Sequence, residues 1–283
     1  MPCLTVYTDA PNYCDAAKQL AQQLNLPFLS KGTYPADDLL CLNESGLFIT
    51  IQRQQIAKPF RVDFSETTLL QRAKKATPYN ELIAKAIGKN NKSVLDATAG
   101  FGYDAFLLAS LGYSITLVEQ SLIVSALLAD GLNRAKQNKT LEPIIQRMRL
   151  ITNNSIDYLN TLTSKPDVIY LDPMFPVSKK TAKSKKEMQI LQSLIGGSQE
   201  SHLHLLLKSA RQCAKNRVVV KRPRISKPLC DITPSFSFNG KAIRFDVYLH
   251  HSDKMQNTSM KQASRRGITP SHPQFSIPNP QSS

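Results

Sequence analysis

The run Val94-Leu-Asp-Ala-Thr-Ala-Gly-Phe-Gly-Tyr-Asp104 constrains this chain more than any other segment. It starts as a short apolar strand, turns on two glycines and enters a helix. A strand apolar on both faces must be covered on both. A second run, Tyr170-Leu-Asp-Pro-Met-Phe-Pro176, also leaves a buried strand, and ends in an acidic loop stiffened by two prolines. Apolar strands are expected at 94–95, 114–118, 149–152, 168–171 and 218–220, alternating with helices at 104–111, 123–136 and 202–215. Units of this length predict an α/β fold: a mostly parallel sheet with helices on both faces. Residues 243–249 alternate apolar and polar, which predicts an antiparallel strand near the C-terminus with one face drier than the other.

The first part of the chain has a different pattern. A strand is expected at 4–7, a short amphipathic helix at 16–24, and a hairpin from 39–42 and 47–51 around Asn43-Glu-Ser-Gly46. Residues 60–64 alternate as a half-buried strand does. Thr77 and Pro78 suit the cap and first position of a helix over 77–87. The expected organisation is a small N-terminal α+β subdomain at 1–76, an α/β domain at 77–251 and a disordered polar tail at 252–283, rich in Ser, Gln, Pro and Asn.

Charge points to the partner. The chain holds 36 Lys and Arg against 21 Asp and Glu, a formal +15, which favours a polyanion. No apolar run is long enough to span a membrane. The opening Met-Pro-Cys-Leu-Thr carries no secretory signal pattern. Five scattered cysteines without CxxC spacing fit reduced thiols in a cytoplasmic protein. His202, His204, His250 and His251 have no ligand spacing with those cysteines, so no metal is expected.

In an open α/β sheet, ligands bind beyond the carboxyl ends of the strands. There the first strand places Asp96, then Gly100 and Gly102, which permit tight turning and close backbone approach. The pattern does not continue as GxGxxG, since Ala105 holds the third position. Asp104 at the helix entrance opposes a pyrophosphate, which wants a positive field. A cationic sulfonium ligand tolerates an acid there, so S-adenosylmethionine (SAM) fits better than a nicotinamide dinucleotide. Glu119 ends the next strand about 20 residues on, where a carboxylate can accept ribose hydroxyls. Asn154 and Ser155 end the third strand, where they can meet the adenine edge, cap the helix that follows, or both.

The second acidic loop suits a reacting end. Asp172, fixed by Pro173, is an acceptor for an exocyclic base amine, and Phe175 offers a ring to stack on the base. Five lysines follow: Lys179, Lys180, Lys183, Lys185 and Lys186. A second cluster, Lys221, Arg222 and Arg224, follows a strand ending at the same sheet edge. Both are expected to meet nucleic-acid phosphates, which position a substrate without reading its sequence.

With these residues in hand, the chain resembles the bacterial small-subunit ribosomal RNA methyltransferase J family. The resemblance rests on Asp96-Ala-Thr-Ala-Gly100, Gly102-x-Asp-Ala-Phe106, Tyr170-Leu-Asp-Pro-Met-Phe-Pro176, Lys186-Glu-Met188, Val218-Val-Val-Lys-Arg-Pro223 and Arg244-Phe-Asp246. It implies a class I SAM-dependent methyltransferase fold, Rossmann-like, and methylation of the N2 amine of a guanosine in 16S rRNA. It also implies SAM contacts at Tyr103, Asp104, Glu119, Gln120, Asn154, Ser155 and Asp172. Tyr103 and Gln120 stand where Arg is expected from the resemblance. Spacing alone does not separate guanine N2 from adenine N6 in RNA or DNA. A third reading is a non-catalytic RNA-binding assembly factor on the same fold, against which the intact Asp96, Glu119 and Asp172 argue.

Overall fold

The structure, a computed structural model, describes residues 4–30, 38–51, 59–173 and 200–250. Its centre is a seven-stranded sheet. Five strands run parallel: β5 (Ser93–Asp96), β6 (Ser114–Glu119), β7 (Met148–Thr152), β8 (Val168–Leu171) and β9 (Arg217–Pro223). Two more, β10 (Phe236–Asn239) and β11 (Ile243–Leu249), add antiparallel beside β9. The order β10-β11-β9-β8-β5-β6-β7 reverses direction at β5, whose neighbours are β6 and β8. Such a switch point opens a crevice at the carboxyl edge, between the ends of β5 and β8.

Strand periodicity divides the sheet between two cores. Val94, Val168, Tyr170 and Val219 face one apolar cluster; Leu95, Ile169, Leu171, Val218 and Val220 face the other. Helices α4 (Tyr103–Ser110), α5 (Leu122–Lys136) and α6 (Glu142–Ile145) contribute to the first cluster. Helices α7 (Ser155–Asn160) and α8 (Glu200–Cys213) contribute to the second.

The N-terminal part forms its own four-stranded sheet. β1 (Leu4–Thr8) pairs parallel with β2 (Phe28–Ser30) and β3 (Asp38–Asn43), and β3 turns back through Gly46 into β4 (Gly46–Thr50). Helix α1 (Cys14–Leu24) packs on β1. This sheet docks on α5 and shares the first apolar cluster with the central sheet. The link is the stretch after β4. Phe60 lies 4.6 Å, ring to ring, from Phe101, and Phe64 lies 5.1 Å from Phe106. Gly131 of α5 lets Val62 approach, since a Cβ there would come within 2.7 Å of the valine side chain.

Three expectations differ in detail. Residues 60–64 bury Phe60, Val62 and Phe64 as the alternation predicts, but only Phe60 forms a bridge, to Ile49. Thr77 caps a turn through the backbone N–H groups of Tyr79 and Asn80, and the helix α3 begins later (Leu82–Ile87). The polar positions of β11 are not on a wet face: Arg244 and Asp246 are both buried and paired with each other. Helix α2 (Thr67–Lys75) was not anticipated. Among the described residues no helix is long and apolar enough to cross a membrane.

Candidate active site

The carboxyl ends of β5, β6 and β8 and the first turn of α4 bring four carboxyl groups together, and the end of β9 adds Lys221. Asp96 closes β5 and is buried; its Oδ1 accepts the Thr98 backbone N–H at 3.1 Å. Thr98 in turn accepts the Asp172 N–H on its hydroxyl at 2.6 Å, which ties the β5 and β8 loops together. Burial, reinforced by the charges of Asp104, Asp172 and Glu119, pushes the Asp96 carboxyl up to about 8.

The glycine turn has the conformation expected of it. Gly100 and Gly102 have φ of 53° and 75°, a region that L side chains rarely adopt. A Cβ on Gly102 would also meet Leu128 Cδ1 at 2.9 Å. Glu119, buried at the end of β6, accepts the Gly100 N–H at 2.9 Å and the Ser121 N–H at 2.8 Å. It therefore couples the second strand to the glycine turn. Burial raises its carboxyl above the usual range, against those backbone donors. Tyr103 opens α4, half-buried between Phe64 and Phe101.

Asn154 caps α7, accepting the N–H groups of Ile156 and Asp157 at 2.9 and 3.3 Å. Its amide donates to the side chain of exposed Gln120 at 3.3 Å. Ser155 is buried and donates to the Ala97 carbonyl at 2.6 Å. The capping role is thus realised, and Ser155 fixes the loop after β5.

The reacting end contains a network that the sequence did not reveal. Tyr170 and Asp172 are two apart along β8 and share a face; Val219 and Lys221 do the same on β9. The pairing of Leu171 with Val220 sets Asp172 beside Lys221. Lys221 Nζ lies 2.8 Å from both Asp172 Oδ2 and Asp104 Oδ2, and the Tyr170 hydroxyl donates to that same Asp104 oxygen at 2.8 Å. Side-chain exposures are 24% for Lys221, 20% for Asp104 and 34% for Asp172.

Burial acts upward on the Asp104 carboxyl, but the Lys221 charge and the two hydrogen bonds outweigh it, so it sits below the usual range. Burial raises Asp172, and Asp104 beside it adds to the rise, while Lys221 opposes it. Asp172 keeps about a third of its exposure, so its rise is screened by water. Lys221 stays a cation: burial works against its charge, but the two carboxylates raise it far more. Arg72 of α2 forms a two-point pair with Glu81, at 3.1 and 2.9 Å, and adds positive charge near Asp104.

The second basic cluster departs from expectation. Lys221 is turned into the site rather than toward phosphate. Arg222 is buried and donates to the Lys227 carbonyl at 3.1 and 2.6 Å, because strand alternation points it to the opposite face. Of the three, Arg224 alone is exposed. Pro173 is buried behind Asp172. Phe175 and Lys179, Lys180, Lys183, Lys185 and Lys186 lie outside the described residues. Thr98 and Tyr170 were missed as site residues; the strand-end position of the first and the i, i+2 spacing of the second are the signals that point to them. Two cavities, of about 530 and 350 Å³, open at the other edge of the sheet and are lined by none of these residues.

A crevice lined by Asp96, Asp104, Glu119 and Asp172 suits a ligand with cationic groups, and the buried Glu119 beside the glycine turn suits a ribose. The donor set fits SAM, which carries a sulfonium and an ammonium on a nucleoside. The SAM-dependent methyltransferase family model matches residues 19–250. The ribosomal RNA small subunit methyltransferase J of Nitrosococcus oceani is 41% identical over 248 residues, covering 86% of this chain and 97% of its own. That of Thioalkalivibrio sulfidiphilus is 43% identical over 242 residues, covering 83% and 93%. A crystal structure of a SAM-dependent methyltransferase from Neisseria gonorrhoeae superposes with a TM-score of 0.68 at 32% identity, covering 87% of this chain and 96% of that one. Fold, site and similarity agree, and the chain belongs to the ribosomal RNA small subunit methyltransferase J family of SAM-dependent methyltransferases.

Proposed function

We propose that this protein methylates the exocyclic N2 amine of a guanosine in small-subunit (16S) ribosomal RNA, as naked RNA or within the small ribosomal subunit. The observation that carries the reading is Asp172 at the β5/β8 crevice, held by Lys221 and by Thr98. SAM, when bound, supplies an electrophilic methyl group on sulfur. Asp96, the glycine turn, Glu119, Gln120, Asn154 and Ser155 are the positions from which this chain holds it.

An exocyclic amine is a poor nucleophile because its lone pair is delocalised into the ring. Asp172 accepts one of its N–H groups and so orients the nitrogen; alignment of this kind is the main service a protein offers such a reaction. The Lys221 ammonium fixes the carboxylate's direction and favours its ionised form. As the amine nitrogen is methylated it sheds a proton, and a carboxylate raised by burial is a competent acceptor. A base within a duplex must first be unpaired or extruded to reach this edge. The guanine target rests on the resemblance; the relatives' shared name supports small-subunit ribosomal RNA as the substrate.

The test is transfer from labelled SAM to 16S rRNA from cells lacking the protein, followed by nucleoside digestion and mass analysis. Label in N2-methylguanosine is expected. Label in N6-methyladenosine would replace the target, and SAM binding without transfer would favour the assembly-factor reading.

A further inference from the structure

The loop that follows β9 carries an observation the methyl-transfer site does not use. Residues 223–228 run beyond the carboxyl edge, and Ile225 at their tip is 97% exposed. A scattered exposed apolar residue needs no explanation. This one is different because the loop beneath it is pinned. Arg244 of β11 is buried, and its Nη1 donates to the carbonyls of Pro223, Arg224 and Ser226 at 3.2, 2.7 and 2.6 Å. Its Nε and Nη2 are held by Asp246, fully buried, at 2.8 and 3.0 Å. Arg222 holds the Lys227 carbonyl, and the Arg224 N–H donates to Ala242 at 2.9 Å. Two buried guanidiniums thus fix four carbonyls of one short loop.

Such a loop has already lost the freedom that binding would otherwise remove. It presents a β-branched side chain, itself stiff at χ1, flanked by exposed Arg224 and Lys227. Ile225 is four residues past Lys221, so its Cα lies within about 14 Å of the Lys221 Cα. A rigid apolar tip between two cations, next to a site that takes a single base, matches a nucleic-acid strand: the cations meet phosphates and the tip meets base faces. Isoleucine is among the side chains that wedge between bases and unstack them.

We propose that Ile225 is an apolar wedge that enters the RNA base stack beside the target nucleotide, with Arg224 and Lys227 on the flanking phosphates. This rests on the RNA-methylating reading and adds how the base is made accessible.

The test uses the full chain, labelled SAM, and 16S rRNA or assembled small subunits from cells lacking the protein. Ile225→Ala is expected to lower kcat/KM for RNA about 10-fold, the scale of one lost apolar contact. SAM affinity, melting temperature and the salt slope of RNA binding should match wild type. Ile225→Leu should recover most of the activity, whereas Arg224→Ala should flatten the salt slope by somewhat under about one unit. A photo-crosslinking residue at position 225 should form adducts with rRNA next to the methylated nucleotide. Wild-type turnover in Ile225→Ala overturns the wedge alone, as do adducts formed with a ribosomal protein. Absence of rRNA methylation by wild type overturns the functional reading, and the wedge with it.

Discussion

Replacing Lys221 by Met removes the cation shared by Asp104 and Asp172 while keeping a side chain of similar length. Both contacts are 2.8 Å, so each is a charge-assisted hydrogen bond. Such bonds contribute about 1.5–3 kcal/mol. Asp172 is 34% exposed, which places its share at the lower end, about 1.5 kcal/mol after screening. Burial already raises the Asp172 carboxyl, and Lys221 opposes that rise. Without the Lys221 charge that opposes burial, the carboxyl's pKa therefore rises further. The ionised form is the one that accepts the amine N–H, so activity falls as pH drops through this value. The acid limb of the single-turnover rate profile should thus move to higher pH in Lys221→Met. On the alkaline plateau a further loss of about 10- to 100-fold should remain, from a carboxylate no longer held in one direction. Lys221→Arg keeps the charge and should place the limb near wild type. Circular dichroism checks folding. An unmoved acid limb together with a wild-type plateau in Lys221→Met would refute the reasoning.

Glu119→Ala should weaken SAM binding in calorimetry by about 1.5–3 kcal/mol, the cost of losing a charged hydrogen-bond partner, with RNA affinity close to wild type. Because Glu119 also holds the Gly100 and Ser121 N–H groups, its melting temperature should fall too, and unchanged SAM affinity would remove the ribose assignment. Replacing the lysines of the 179–186 run should weaken RNA binding and lower its log–log salt slope by somewhat under about one unit per lost phosphate contact, leaving SAM affinity alone. An unchanged slope would make the run a solvated segment.

The parallel core was legible because its strands are apolar on both faces and its helices have ordinary lengths. β8 and β11 were placed to the residue, at Val168–Leu171 and Ile243–Leu249. The N-terminal sheet was legible only in pieces. Its hairpin is local and announced by Asn43 to Gly46, but the parallel pairing of β1 with β2 and β3 is non-local, and no residue signals it. Helix α2 places Leu69, Leu70 and Ala73 toward the core, but it is short and no capping side chain announces its start. β10 is four residues long with no buried position, so it carries no strong pattern either.

In the site, strand ends were readable and side-chain pairing was not. Lys221 sits in a run of basic residues, and such a run reads as one phosphate-binding group. Only the register of β8 against β9 reveals that Lys221 faces Asp172 while Arg222 faces away. Likewise, Asp104 reads from sequence as a carboxylate awaiting a cationic ligand; in the fold it already has Lys221 and Tyr170. The alternation of β11 suggested a wet face because Arg244 and Asp246 are charged, but each satisfies the other in the interior.

The central claim is that Asp172 positions the target amine, and Asp172→Ala tests it most directly. Its carboxylate stands at the crevice and about a third of it meets solvent, so its loss should leave the fold intact. RNA affinity should change little, because phosphate contacts dominate it. Transfer of label from SAM to 16S rRNA should fall by on the order of 100-fold or more, the cost of losing a near-attack alignment. A folded Asp172→Ala protein that methylates rRNA at near the wild-type rate would contradict the account.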